Sequence, residues 1–349
     1  MNSDASTLKA QRYPSLDALR GLAVLMVVYD HMFAVAGEKI RQAAFAPVAD
    51  VRRFVTTPLG IVQDFGWLGV CLFFFISGFV IANSARHERL PVFVVRRVFR
   101  IFPPLVAAVF LAALLDMVMG SARPLSDYAY AASLVGYFTQ PQIVVLGVAW
   151  TLVIELLFYL LMGLVSPLLK SRWPATAVAF ASAAPLAAIY CARDFGDNFF
   201  LLAASLAYVP LLLMGSAIYL RKGLGGPPLV AAALLIFNYG VFLYGLETIH
   251  TSFLPIGNSY LVSAVYALGI ILLCLHLPPP RALKFVGDIS YSLYLTHGLF
   301  GFVVVQWMLS LGQVLAAPWV GSVVAIAMAY VLYRVVERPS IAWGKRVAR

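Results

Sequence analysis

Long runs of apolar residues alternate with short polar breaks, many of them basic, along almost the whole chain. Ten runs approach the twenty or so residues needed to cross a bilayer's hydrocarbon core. They lie at 16–36, 62–82, 101–119, 144–169, 174–191, 199–220, 228–246, 259–277, 289–310 and 318–336. A shorter run at 128–138 reads as a partial or re-entrant helix, which is tolerated only where protein or water satisfies its backbone. The pattern predicts an all-α integral membrane protein, a bundle of about ten transmembrane helices. A membrane β-barrel would instead show alternating segments of about ten residues.

Composition agrees. Of 349 residues, 62% are hydrophobic and 11% charged, against roughly 25% charged in a soluble domain; the mean hydropathy is +0.90. The formal charge of +10 would suggest nucleic acid in a soluble protein; here it reads as cytoplasmic loops, with no nucleic-acid partner. With both termini cytoplasmic, 19 of the 25 Lys and Arg fall inside, leaving Lys39, Arg41, Arg52, Arg53, Arg123 and Arg193 outside. That bias supports an even number of spans in a multi-pass membrane protein with both termini inside. The expected organisation is a cytoplasmic segment 1–15, a transmembrane domain 16–338 and a cytoplasmic tail 339–349. The longest external stretch, about 37–61, is too short for a typical domain, and no inverted repeat is evident. Ala34-Val35-Ala36 resembles a signal-peptide cleavage site, but Asp30 and His31 argue for a retained helix. Cys71, Cys191 and Cys274 are widely spaced in apolar segments, which argues against a disulfide framework and a zinc site.

Chemistry-bearing residues cluster in six places. In the first span, Arg20 and His31 are eleven positions apart. At about 100° per residue they share a face, separated by about 16 Å along the axis, with Asp17 on roughly the same side and Asp30 turned about 100° away. Ionisable groups within a bilayer usually face the bundle interior or a wet cavity. Arg20 can alternatively snorkel to the interface, and His31 can be a hydrogen-bonded packing residue. The second cluster is Arg96-Arg97-Val-Phe-Arg100-Ile-Phe-Pro103-Pro104. Arg97 and Arg100 share a helical face and can grip phosphates bidentately, or contact anionic lipid; the prolines would fix the entry into the third span. The third is Phe73-Phe74-Phe75-Ile76-Ser77-Gly78-Phe79, where Gly78 permits close helix approach and Ser77 can bond across an interface.

The fourth, Trp150-Thr151-Leu-Val-Ile-Glu155-Leu-Leu-Phe158-Tyr159, puts a carboxylate near mid-membrane with Thr151 one turn away; Glu155 must be protonated, paired or hydrated. The fifth places Ser290, Tyr294 and His297 on one stripe, a polar site or a packing seam. The sixth, Val336-Glu337-Arg338-Pro339, reads as a helix terminus with a local ion pair. His250 and His276 have no metal-like cluster around them, and no Walker loop, dinucleotide fingerprint or His-Glu-x-x-His motif occurs.

In order and spacing these segments resemble the acyltransferase 3 family of bacterial membrane O-acyltransferases. The matching elements are Leu16-Asp17-Ala18-Leu19-Arg20-Gly21-Leu22, Arg20-x10-His31, Gly69-Val70-x-Leu72-Phe73-Phe74-x-Ile76-Ser77-Gly78-Phe79 and Arg97-Val-Phe-Arg100-Ile-Phe-Pro103. Trp150-Thr-Leu-x-x-Glu155-x-x-Phe158-Tyr159, Ile289-Ser290-Tyr291-Ser292-Leu293-Tyr294-Leu295-x-His297 and Glu337-x-Pro339 complete the set. The resemblance implies transfer of an acyl group, usually acetyl, from cytoplasmic acetyl-CoA or another acyl-CoA to a hydroxyl of a sugar, glycan or glycolipid, without a metal. It implies a catalytic role for His31, with Arg20 in the same motif, and donor handling by Arg97 and Arg100. Glu155 joins the catalytic candidates. Ser77, Thr151, Tyr294 and His297 are candidates for contacting substrate or the oxyanion. The histidine can act as general base or as a transient acyl carrier. No appended soluble domain is evident, so the chain looks like a stand-alone form, in contact with membrane lipid. A proton-coupled secondary transporter with a His31–Glu155 relay is the rival reading.

Overall fold

A computed structural model describes residues 13–35, 46–250 and 257–348, and among these every regular element is helical. Residues 1–12 of the expected N-terminal segment, Ala36 of the signal-like site, Lys39, Arg41 and Arg349 lie outside the described residues. The helices that build the bundle are α1 (Pro14–Tyr29), α2 (Gly66–His87), α3 (Leu90–Val118), α4 (Leu125–Ser133), α5 (Trp150–Leu164), α6 (Pro174–Tyr190), α7 (Asp197–Leu206) and α8 (Val209–Lys222). They continue with α9 (Pro228–Thr248), α10 (Gly257–Cys274), α11 (Arg281–Asp288), α12 (Ser290–Thr296), α13 (Phe302–Ser310), α14 (Ala317–Leu332) and α15 (Arg338–Val347).

Among the described residues, seven helical stretches are long and apolar enough to cross a membrane: 63–87, 90–118, 147–164, 197–222, 228–248, 290–310 and 317–347. They coincide with seven of the ten expected segments. The other three are helical but shorter: α1 has 16 residues before a π turn at Asp30–Val35, and Pro174–Tyr190 and Tyr260–Cys274 are short apolar helices. The apolar run at 128–138 divides between α4 and a 3₁₀ turn at Val135–Phe138.

Several helices start where proline takes the first turn, which needs no backbone N–H there: Pro14, Pro91, Pro174, Pro210, Pro228 and Pro318. Two sequence expectations are corrected. Pro103-Pro104 does not open a helix; it lies inside α3, which runs unbroken from Leu90. Arg97 and Arg100 therefore sit on a continuous helix rather than on a hinge. Nor does the chain leave its last helix at Glu337. It passes through a π turn at Tyr333–Glu337 into α15, and Glu337 bonds to Ser292 on α12 rather than pairing with Arg338.

The centre of the bundle is α2 against α8, whose residues Val209 to Leu220 are all buried. Small residues explain the proximity. A Cβ at Gly78 would strike the Leu212 carbonyl, and one at Gly215 would strike the Phe75 carbonyl. The same reciprocal arrangement, Gly21 against Leu283 and Gly287 against Asp17, clamps α1 to α11. By contrast α3 leaves Val106, Phe110, Leu114 and Met117 exposed, and α14 leaves Val323 and Val331 exposed. A bilayer accommodates such outward apolar faces.

Candidate functional site

Two cavities lie along the inner faces of α1, α2, α5 and α12. The larger, about 1040 Å³, is a chamber lined by Asp30, His31, Arg52, Asp64, Trp67, Trp150 and Tyr294, among others. The smaller, about 60 Å³, is a slot whose lining includes Arg20, Ser77, Arg100, Thr151, Glu155, Ser290 and Tyr294. Val70 and Tyr294 line both. Arg20 and His31 thus share a helical face but serve different spaces.

His31 lies in the first turn of the π segment that ends the first helix. Its Nδ1 is 2.6 Å from Nε2 of His297, and the two rings meet edge to edge, centroids 4.9 Å and planes 10° apart. His297 itself opens a second π turn, His297–Gly301. Each π turn inserts an extra residue and re-aims the side chains beyond it, a device frequent at functional sites. His297 is fully buried, whereas the His31 side chain keeps 28% exposure. The Asp30 carboxylate, expected to turn away, comes within 3.8 Å of His31 Nε2.

Opposite, the chamber's rim carries a pairing that sequence reasoning missed. Arg52 donates from Nε to Asp64 at 2.8 Å and also from Nη2. Asp64 sits in three consecutive non-glycine residues with left-handed backbone: Gln63, Asp64 and Phe65, at φ 53°, 42° and 77°. Such strain persists only where surrounding contacts hold it, commonly at binding sites. The sequence signal, a lone acid just inside an apolar run, is weak by itself.

In the slot, Glu155 Oε1 accepts hydrogen bonds from Ser77 at 3.0 Å and Tyr159 at 2.6 Å. Arg100, one turn beyond Arg97, has no hydrogen-bond partner among the described residues; Glu155 and Glu337 lie within its electrostatic reach. Arg20 makes one long contact, 3.4 Å, with Asp17. Arg97 is more firmly held. It donates to Ser84 at 3.2 Å, lies 3.9 Å from Glu88 and stacks over Phe93 and Tyr159, while its Nε has no partner. Tyr294 and Thr151 close the slot toward the chamber, their hydroxyls 3.0 Å apart. Both also bond the Val148 carbonyl.

The structure therefore brings together two groups of the sequence candidates. His31 and His297 form one; Arg20, Arg100, Glu155, Ser77, Thr151 and Tyr294 form the other, with Arg97 behind it. His31 and Glu155 share no hydrogen bond and line different cavities. No group of three or more His, Cys, Asp or Glu suited to a metal occurs among the described residues.

Comparison with known proteins gives one match. The acyltransferase domain that defines the acyltransferase 3 family matches residues 13–334, nearly the whole chain. No curated protein and no solved structure matches. The matched stretch contains both cavities and every candidate site residue, and the chain belongs to the acyltransferase 3 family of membrane acyltransferases.

Proposed function

We propose that the protein is an O-acyltransferase, in the first place an O-acetyltransferase, that takes its acyl group from acyl-CoA and delivers it to a hydroxyl of a sugar, glycan or glycolipid. The observation that carries this reading is the meeting of a slot bearing arginines and a chamber bearing histidine at two shared residues, Val70 and Tyr294. Acyl-CoA has phosphates at one end and a thioester at the other. Arg97, Arg100 and Arg20 offer guanidinium donors not committed to carboxylate forks, suited to phosphate oxygens. The basic end faces the cytoplasm by the positive-inside bias, in a ten-span arrangement with both termini inside and the bacterial inner membrane as its place.

The slot's 60 Å³ is room for about two waters. The pantetheine arm must displace side chains to thread it, with the long arginines the movable parts. The acceptor enters the wide chamber, which has space for it beside His31 while the donor occupies the slot. Attack is then direct. Neutral His31 takes the proton of the acceptor hydroxyl as its oxygen bonds to the thioester carbonyl carbon. The hydroxyls of Tyr294 and Thr151, bonded at rest to the Val148 carbonyl, turn from it to donate to the oxyanion. Collapse breaks the C–S bond, and the imidazolium returns its proton to the departing thiolate, giving free CoA and an ester. Glu155, held by Ser77 and Tyr159, supplies a fixed negative charge that orients the arginines.

Purified protein in lipid, given labelled acetyl-CoA and a panel of sugars and glycolipids, is expected to release CoA and form labelled ester only when an acceptor is present, with sequential kinetics. CoA release without ester, or uptake of a solute into vesicles without ester formation, would overturn the reading. The second outcome would favour a proton-coupled transporter.

A further inference from the structure

The His31–His297 pair has a definite hydrogen-bond order. His297 Nδ1 lies 3.0 Å from the Leu293 carbonyl oxygen. A carbonyl only accepts, so Nδ1 of His297 carries a proton. His297 is fully buried, and its ring nitrogens meet a carbonyl and another imidazole. Among the described residues no carboxylate stands beside it to offset a charge there, so its other nitrogen, Nε2, is a bare acceptor. The 2.6 Å contact with His31 then requires that His31 donate from Nδ1. In the opposite order, His297 Nδ1 would face the Leu293 carbonyl lone pair to lone pair.

We propose that His297 is a positioning residue: it fixes His31 as the Nδ1–H tautomer and leaves His31 Nε2 as the proton-accepting atom on the chamber side. This deepens the transfer reading above and rests on it for its catalytic meaning. Leu293, His297 and His31 form a chain in which a backbone carbonyl orders one imidazole and that imidazole orders the next. The logic is that of a catalytic triad, where the outer member sets the tautomer of the base and need not take its proton. Here a neutral histidine takes the place of a carboxylate. Asp30, 3.8 Å from Nε2, is too far to bond the neutral ring but near enough to attract the imidazolium formed when Nε2 gains a proton. Both histidines also sit at the start of π turns, His31 second in Asp30–Val35 and His297 first in His297–Gly301, where the added residue changes the direction of the side chains.

The test uses the full-length protein in lipid bilayers with histidine labelled by nitrogen-15. Solid-state NMR distinguishes the two neutral tautomers, and His31 is assigned by its disappearance in His31→Gln. The wild type is expected to show His31 protonated at Nδ1. His297→Gln, whose side-chain carbonyl can accept near the place of Nε2, should keep that tautomer. His297→Phe should lose it and lower kcat on the order of 10²-fold, below the roughly 10⁴-fold cost of locking a triad histidine in the wrong tautomer. KM for acyl-CoA should stay unchanged, with substantial rescue of kcat in His297→Gln. Protonation of His31 at Nε2 in the wild type would overturn the proposal, as would a wild-type kcat in His297→Phe. An Nδ1–H signal from a protein that transfers no acyl group to any acceptor would uphold the hydrogen-bond order and sink the transfer reading instead.

Discussion

The chamber and the slot share walls from α1, α2, α5 and α12, yet they differ in almost every physical respect. The chamber, at about 1040 Å³, is wide and walled by Trp67, Trp150, Gln63 and the Arg52–Asp64 pair. The slot, at about 60 Å³, is tight and polar in a different way: guanidiniums with spare donors at one end, and a carboxylate held by two hydroxyls in the middle. On the transfer reading proposed above, a space already open would receive acceptors of different size, whereas one that must be forced would select a long, thin, anionic donor. The lesson is a division of labour, with breadth on the histidine side and stringency on the arginine side.

Substitutions can break that division, and the largest effect belongs to His31. His31→Ala should lower kcat by about 10²–10⁴-fold, the usual worth of a general base, while acyl-CoA binding measured by calorimetry stays as in the wild type. Loss of donor affinity in that variant would mean that the two cavities act as one. Arg97→Ala with Arg100→Ala should do the reverse. Hydrogen bonds to charged groups are worth about 1.5–3 kcal/mol each, so KM for acyl-CoA should rise at least about tenfold, with kcat changing far less and the acceptor's KM not at all. A smaller effect is expected of Ser77→Ala, which removes one of the two hydroxyl donors to Glu155. The typical cost of one such bond is about 1 kcal/mol, read as a rise of about fivefold in donor KM. An unchanged donor KM would show that Tyr159 alone keeps Glu155 in place.

How far these features are legible in the sequence differs between the cavities. The slot is nearly all there: Arg20, Ser77, Arg100, Thr151, Glu155, Ser290 and Tyr294 are polar residues in apolar runs, and the expense of polar groups in a bilayer singles them out. Helical periodicity also brings Arg97 and Arg100 to one face, and Gly78, a small residue amid bulky ones, marks a point of close helix approach. The chamber is less visible. A straight α-helix sends Asp30 away from His31, and the π turn that brings its carboxylate within 3.8 Å has no sequence signature. The His31–His297 contact joins residues 266 positions apart, which no local period encodes. The two prolines of α3 misled for a related reason. Proline removes a backbone donor and usually marks a helix's start, yet neighbouring helices in a membrane bundle can sustain it mid-helix. Among the described residues seven of the ten expected spans are long helices, while α1 gives way to a π turn after Tyr29 and Pro174–Tyr190 and Tyr260–Cys274 are shorter apolar helices.

The most delicate test of the comparison is Arg52, at the chamber's rim and far from the arginines of the slot. Its guanidinium engages Asp64 from two nitrogens, and Thr56 adds a weaker contact at 3.5 Å. The carboxylate it grips sits on the left-handed stretch Gln63–Phe65, so the pair holds a strained backbone as well as a charge. Lysine keeps the charge but not the fork. Arg52→Lys should therefore relax the rim and raise the acceptor's KM by a few-fold, about 1 kcal/mol or less, as for a partly exposed ion pair. Arg52→Ala should cost more, since among the described residues only Thr56 then bonds the buried Asp64. In neither variant should KM for acyl-CoA move. If it does, the rim and the slot are mechanically linked, and the chamber opens or closes in step with donor entry rather than standing ready in advance.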